Sequence, residues 1–326
     1  MAAAARVTLA DIYRAHERIL PHIHKTPVFT NSTFDKLIGR NAFFKAENLQ
    51  KTGSFKARGA LNAVIALKER SPNVAGVVTH STGNHGQALA WAASTVGLGC
   101  AVIVPRDTPQ VKKDAITNYG AELVLCEPTP QSRQETCDKI AKERGLEFIP
   151  PFDHHDVIAG QGTIAMELLK QAPDLDAILV PVSGGGMSSG IAIAAKAIKP
   201  GIKIFLVEAE GKMCEKSLRA GERLWPNPPQ FVDTIADAIR TQQLGHVTFP
   251  ILLKHAEKDV FTTSDEDMIK GMKFAFQRMK LVIEAASGAA VAAAMSEKLA
   301  GMDKEMKNIG VILCGGNVDI EKLPWY

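Results

Sequence analysis

The stretch "KTGSFKARGA" (residues 51–60) sets Lys56 beside Phe55 and among small residues, with Lys51 and Arg58 close by. A lysine so placed suits three roles: a surface charge, a phosphate clamp or a nucleophilic amine. Lys51 and Arg58 read as local electrostatics or interface groups. A second stretch, "SGGGMSSG" (residues 183–190), follows a strand pattern and opens a helical one. Consecutive glycines there let backbone N–H groups converge on an anion, and the helix dipole adds to the attraction. A tight turn is the plainer alternative. The stretch is neither G-x-x-x-x-G-K-[ST] nor G-x-G-x-x-G, which speaks against a nucleoside triphosphatase or a dinucleotide fold. The third, "HSTGNHGQ" (residues 80–87), brings Ser81, Thr82 and Asn84 to a strand-to-helix turn. Hydroxyls, an amide and backbone donors suit a carboxylate at the edge of a sheet, while the same residue types also cap helices.

These stretches are positioned by apolar β-branched runs alternating with helical patterns. "GVVTHS", "CAVIVP" and "AELVLCE" read as strands, separated by the helical "HGQALAWAASTVG" and "QVKKDAITNYG" and followed by the helical "QSRQETCDKIAKERG". Short connections make this a βαβαβ unit and a parallel sheet covered on both faces. A second series follows Gln161, with strands "AILVPV", "IKIFLVEAE" and "NIGVILC" and a helix over "MIKGMKFAFQRMKLV". The expected architecture is α/β, with two open twisted sheets carrying helices on both faces. A large domain takes residues 1–75 and 151–326, and a smaller inserted domain takes 76–150.

Composition agrees. A chain of 326 residues, 46% hydrophobic and 22% charged, has the makeup of a soluble globular protein of about two domains. Its net charge is only +3, and no basic run is interleaved with aromatics, so nucleic acid is not an expected partner. The N-terminus looks like a short tail entering a capped helix, not a signal peptide, and no apolar run reaches the roughly 18–20 residues of a membrane span. No membrane association is expected, and the cytoplasm is the expected location. Five scattered cysteines without a C-x-x-C pair fit reduced thiols. The adjacent His154 and His155 of "FDHHD" cannot easily turn to one ion.

Together, the lysine beside a ring, the carboxylate-type turn and the phosphate-type loop resemble the serine racemase and serine/threonine dehydratase branch of the fold-type II pyridoxal-phosphate enzymes. The resemblance runs through "HKTPV", "GSFKARGA", "HSTGNHGQ", "VIAGQGT", "SGGGM", "TIAD" and "CGGNVDIE". It implies a tryptophan synthase β-like fold and pyridoxal 5'-phosphate as cofactor. Lys56 would form the internal Schiff base, with Phe55 and Phe152 near the ring. Ser183, Gly184, Gly185, Gly186 and Met187 would hold the phosphate. Asn84 would meet the ring hydroxyl, and Cys314 the pyridine nitrogen. Ser81, Asn84 and His85 would surround the substrate carboxylate, with Arg133 of "SRQE" as an outer clamp. Physically, such a lysine must be neutral to attack, which requires a partly desolvated site that lowers its pKa. The implied activity is serine racemisation together with dehydration of serine or threonine to a 2-oxo acid and ammonia. Dehydration alone, extended to 3-hydroxyaspartate, is the alternative, and a silent amino-acid-binding paralogue is a further one. β-Replacement is the rival within the fold.

Two departures qualify the resemblance. Racemisation needs an acid/base on the opposite cofactor face, where racemases of this family use serine and this chain has Thr82, which keeps the hydroxyl but restricts χ1. The family's Mg²⁺ or Mn²⁺ site maps to Glu208, yet the following segment is one residue shorter than in the family's mammalian racemases, and Glu210 and Glu215 are only candidates for a second ligand. Lys51, Thr52, Tyr119 and Asn317 resemble parts of an allosteric ATP site. A homodimer is expected from the resemblance.

Overall fold

The computed structural model describes residues 7–225 and 231–325; the expected tail at 1–6 lies outside them. The chain opens with α1 (Leu9–Ile19), β1 (Val28–Phe29), α2 (Ser32–Ile38), β2 (Asn41–Ala46) and α3 (Lys56–Arg70). Next come β3 (Gly76–Thr79), α4 (Asn84–Thr95), β4 (Gly99–Pro105), α5 (Gln110–Thr117), β5 (Glu122–Cys126), α6 (Pro130–Arg144) and β6 (Glu147–Phe148). The remainder is α7 (His155–Gln171), β7 (Ala177–Pro181), α8 (Gly186–Ile198), β8 (Lys203–Ala209), α9 (Cys214–Ala220), α10 (Thr248–His255), β9 (Phe261–Thr263), α11 (Asp265–Phe274), α12 (Ala285–Ala294), α13 (Glu297–Ala300) and β10 (Asn308–Leu313).

Local signals explain many boundaries. Thr8 and Asp11 form a capping box at the start of α1, Thr129 caps α6 just before Pro130, and Gly39 and Gly145 end α2 and α6 in the left-handed region. One helix departs from its sequence pattern. The run from 268 to 282 is not one helix: α11 gives way to a π-turn over Ala275–Met279, which ends at Lys280 with φ 59°. The N–H of Leu281 returns to Ala275 O, and Leu281 and Ile283 then enter the core. Glu284 therefore leaves the helix as a buried residue at the foot of α12.

Two sheets result, one of order β1-β2-β10-β7-β8-β9 and one of order β5-β4-β3-β6. All pairings are parallel except β1 with β2. The last strand, β10, slots between β2 and β7, with Leu313 opposite Ala46 and Val311 opposite Leu179. The carboxyl ends of β2, β10 and β7 therefore lie together, where open α/β sheets bind ligands. The hydrophobic cluster of the four-stranded sheet draws on residues outside 76–150: Ile19, Ala60, Leu61, Val64 and Val157 pack with Val77, Leu89 and Val102. Helices α3 and α7 thus lie between the sheets. They approach closely because Gly59 and Gly160 face each other's backbones; a Cβ on Gly160 would sit 2.7 Å from Gly59 Cα.

Arg58, expected as a local electrostatic or interface group, is an internal one. It is fully buried, with Nε and Nη2 donating to Glu47 at 2.7 and 2.8 Å and Nη1 and Nη2 donating to Glu167 at 2.8 and 3.0 Å. Lys45 Nζ completes the cluster, donating to Glu167 Oε2 at 2.7 Å and to Thr26 O at 2.9 Å. Burial alone would raise the Glu167 carboxyl, but the two cations outweigh it and hold the pKa down. Two cations and two carboxylates leave no net charge, and the cluster joins β2, α3 and α7 two residues from Lys56. Removing one member strands the others, so Arg58→Met is expected to lower the unfolding free energy of the cofactor-free protein by about 3–5 kcal/mol in urea titrations. Lys51→Ala should change it by less than about 0.5 kcal/mol.

Candidate active site

The Lys56 amine sits at the first turn of α3, where the helix dipole disfavours positive charge. Its side chain is half-buried. Nζ donates to Pro151 O at 2.5 Å and lies 5.1 Å from the Phe55 ring centroid. Burial lowers its pKa to about 8, against the opposing pull of the Glu284 carboxyl. The start of α3 is tied to the end of β10: Phe55 N–H donates to Cys314 O at 3.0 Å, Gly316 N–H to Gly53 O at 2.9 Å, and Ser54 bridges Gly315.

The glycine loop leaves β7 and enters α8, with Gly185 at φ +96°. Gly184 O accepts from Thr248 Oγ1 at 2.6 Å and from Gly245 N–H at 3.0 Å, and Gly185 O accepts from Ser189 N–H at 2.8 Å. Because a trans peptide points its N–H opposite to the preceding C=O, these pins turn the following amides the other way. Among the described residues, none of the N–H groups from Ser183 to Met187 takes a protein acceptor. Convergent unpaired amides at a helix N-terminus fit a phosphate. Phe152 packs against this loop, and a Cβ on Gly184 would fall 2.3 Å from its Cε2. The residues present therefore fit pyridoxal phosphate: an amine poised to be neutral, a ring wall and an anion cradle.

At the third stretch, Ser81 and Thr82 form the β3–α4 turn and remain half-buried. Asn84 is engaged by protein groups at both ends of its amide: Nδ2 donates to Glu284 Oε1 and Oε2 at 3.1 and 3.0 Å, and Oδ1 accepts from Asn317 Nδ2 at 2.8 Å. His85 has its ring committed to the protein. It is buried, its pKa is pushed down to about 3 by desolvation and by the Lys56 charge, and its ring is neutral. Only a protonated Nε2 can bond Ile149 O, at 2.9 Å, so Nδ1 carries a lone pair and offers no proton to a carboxylate. His85 thus braces α4 against the chain after β6. Arg133 reaches this turn from α6, with Nη2 donating to His80 O and Nε left buried without a partner.

Cys314 is a buried thiol whose pKa burial pushes upward, so it keeps its proton; Ser287 Oγ lies 3.4 Å away and Glu284 Oε1 3.9 Å. Glu284 is the site residue that motif reasoning missed. Its signal was there: one acid stands inside the apolar run "LVIEAASGAAVAAA". Burial raises its pKa to about 7, and the Asn84 hydrogen bond only partly offsets that.

Glu208 also departs from its expected role as a metal ligand. Its carboxylate accepts from Cys214 N–H at 2.9 Å and Glu215 N–H at 3.4 Å, so it caps α9. Glu215 pairs with Arg219 at 2.8 Å, and Glu210 is exposed. Among the described residues no group of three or more His, Cys, Asp and Glu side chains converges as a metal site, so the donor set does not fit a divalent cation. No described helix is long and apolar enough to cross a membrane.

The model of the pyridoxal-phosphate dependent enzyme family matches residues 19–315. The chain belongs to that family. It is 45% identical to a serine racemase of Dictyostelium discoideum, over 98% of this chain and 97% of that protein. It is 41% identical to the L-threo-3-hydroxyaspartate ammonia-lyase of Saccharomyces cerevisiae, over 97% and 94% of the two chains. A solved pyridoxal 5'-phosphate-dependent aspartate racemase superposes with TM-score 0.96 at 60% identity, over 99% of this chain and all of that one. The protein is thus an enzyme of the racemase and ammonia-lyase branch, with a fold-type II α/β architecture.

This geometry carries two expected outcomes. Gly185→Ala strains a left-handed residue and puts a Cβ 2.9 Å from Thr248, so fluorescence titration should show pyridoxal-phosphate affinity falling by about tenfold or more. The raised Glu284 pKa means the folded state keeps a proton that the unfolded state releases between about 4.5 and 7. Stability contributed by that proton is full below the unfolded value and is lost as pH rises through about 7. Urea midpoints of the cofactor-free protein should fall over that window by less in Glu284→Gln than in wild type.

Proposed function

We propose that this enzyme racemises serine and dehydrates it to a 2-oxo acid and ammonia, with threonine and 3-hydroxyaspartate as further elimination substrates. The observation that carries the proposal is a low-pKa amine, Lys56, following β2 and the unpaired amides of residues 183–187 following β7, the two strands that flank β10 in one sheet. When bound, pyridoxal phosphate supplies the electron sink for charge left at the substrate α-carbon. Lys56 Nζ attaches the cofactor and takes or returns the α-proton on its own face, a task for which a pKa of about 8 is well matched. Thr82 Oγ1 is proposed as the acid/base of the opposite face. It makes no side-chain hydrogen bond among the described residues, so its proton is uncommitted. Elimination needs only Lys56, whereas racemisation needs both. The unit of residues 76–150, which carries the Ser81–Thr82 turn, is proposed to close over the substrate.

A cytoplasmic homodimer belongs to the same proposal. So does a nucleotide-responsive site around Lys51, Thr52, Tyr119 and Asn317, supported by the bond from Asn317 Nδ2 to Thr52 O at 2.8 Å.

A second substrate class is favoured by a specific observation. The unpartnered Nε of Arg133 beside the β3–α4 turn would suit a second carboxylate, and the 60% identical solved structure is that of an aspartate racemase. Aspartate has no β-hydroxyl to expel, so it would be racemised without elimination. Chiral product analysis with L-serine and L-aspartate separates the readings. D-serine with pyruvate supports the first, D-aspartate without serine turnover supports the second, and turnover of neither overturns both. On serine, Thr82→Ala should reduce racemisation by about tenfold more than elimination; equal losses would make Thr82 only a wall of the site.

A further inference from the structure

Lys212 lies in the β8–α9 turn, within "EAEGKMCEKS", a segment whose composition suggests a solvated loop. The structure buries it instead, leaving the residue 8% exposed. Gly211, at φ +84°, turns the chain there, and the lysine runs beneath the glycine loop. Its ammonium has three protons and meets three backbone carbonyls: Val182 O at 2.8 Å, Ser183 O at 3.3 Å and Ile239 O at 3.3 Å. Carbonyl oxygens gathered around one positive charge are the surroundings of a bound cation. Glu208 acts on Lys212 through its field, while both of its carboxylate oxygens are occupied by the amides of α9.

The consequence for the loop comes from peptide geometry. Pinning Val182 O to one side turns the N–H of Ser183 to the other, and pinning Ser183 O does the same for the N–H of Gly184. Those are the first two amides of the anion cradle. Thr248, Gly245 and Ser189 orient the next two through Gly184 O and Gly185 O. Lys212 therefore completes a continuous row of pinned carbonyls behind the cradle.

We propose that the Lys212 ammonium is the resident cation of the phosphate loop, standing beside Glu208 where a divalent metal was expected and fixing the first two peptide planes of the cradle. It is a positioning residue, acting through Val182 and Ser183 without touching the ligand. Its charge also lies behind the anion site, where it favours the bound phosphate. Cofactor retention in this enzyme accordingly requires no divalent metal. The inference rests on residues 183–187 being the phosphate site.

Two measurements test it. Wild-type holoenzyme is stripped with EDTA and then given Mg²⁺, Mn²⁺ or Ca²⁺, while thermal midpoint and pyridoxal-phosphate Kd are followed. Both should be unchanged by chelation and by each metal. A metal-dependent rise in the midpoint, or a Kd tightened by about tenfold, overturns the inference. In parallel, Lys212→Met, similar in length but uncharged, should bind pyridoxal phosphate about tenfold or more weakly. Lys212→Ala should regain affinity with ethylammonium but not with Mg²⁺. Wild-type affinity in Lys212→Met overturns this inference alone, whereas a wild-type protein that binds no pyridoxal phosphate overturns the phosphate-site assignment itself. If the variants fail to fold, the wild-type metal response still decides.

Discussion

A lysine amine in water is charged at neutral pH, and the chemistry at this site needs it uncharged. Desolvation of Lys56 moves it towards that requirement, bringing its pKa to about 8 so that about a tenth of it is neutral at pH 7, and much of the surrounding structure serves to enclose this amine. The enclosure must be rigid, because a flexible lysine would return its charge to solvent. Rigidity comes from both sides of the residue. Upstream, Gly53, Ser54 and Phe55 are stitched to Cys314, Gly315 and Gly316 at the end of β10. Downstream, Arg58 is locked between Glu47 and Glu167 with every charge compensated. The compensated cluster lies close to the amine without imposing a net field on it, so burial remains the dominant influence on Lys56.

The parallel sheet sets the rest of the geometry. Inserting β10 between β2 and β7 brings three connections to one edge: the one leading to Lys56, the one starting with Cys314 and the glycine loop. Each supplies a different element. Lys56 brings an amine, Cys314 a neutral donor, and the loop a row of amides held outward by pinned carbonyls. The second sheet contributes the Ser81–Thr82 turn from the end of β3, with Arg133 reaching it from α6. Glu284 connects the two sides: it is delivered by the π-turn after α11, and Asn84 of α4 donates to it.

Much of this was legible in the sequence because the responsible signals are local. Alternating strand and helix patterns mark β3 to α6 within a few residues, and three consecutive glycines after an apolar run mark the loop. What stayed hidden depends on long-range placement. Arg58 read as a local electrostatic or interface group and the segment around Lys212 as a solvated charged loop, and only the fold brings them Glu47 and Glu167, or Val182 O and Ile239 O. The resemblance set His85 beside the substrate carboxylate, and the fold adds that burial removes the charge of its ring and Ile149 O takes the ring's only proton. Glu208 read as a metal ligand by position, yet a shorter turn delivers the amides of α9 to its oxygens. The end of α11 is hard to place from sequence because a π-turn keeps helical periodicity while rotating residues 281–284 relative to the helix before them.

The central claim is that the chain builds one reactive lysine, Lys56, although Lys212 is also buried with a pKa lowered to about 8. Burial lowers both, but the carbonyl cage commits the protons of Lys212, whereas among the described residues Lys56 Nζ has one protein acceptor, Pro151 O. Borohydride reduction of the pyridoxal-phosphate-loaded protein, combined with peptide mass mapping, reads the attachment point directly. The account predicts a single reduced adduct on Lys56. An adduct on Lys212, or none on Lys56, would contradict it.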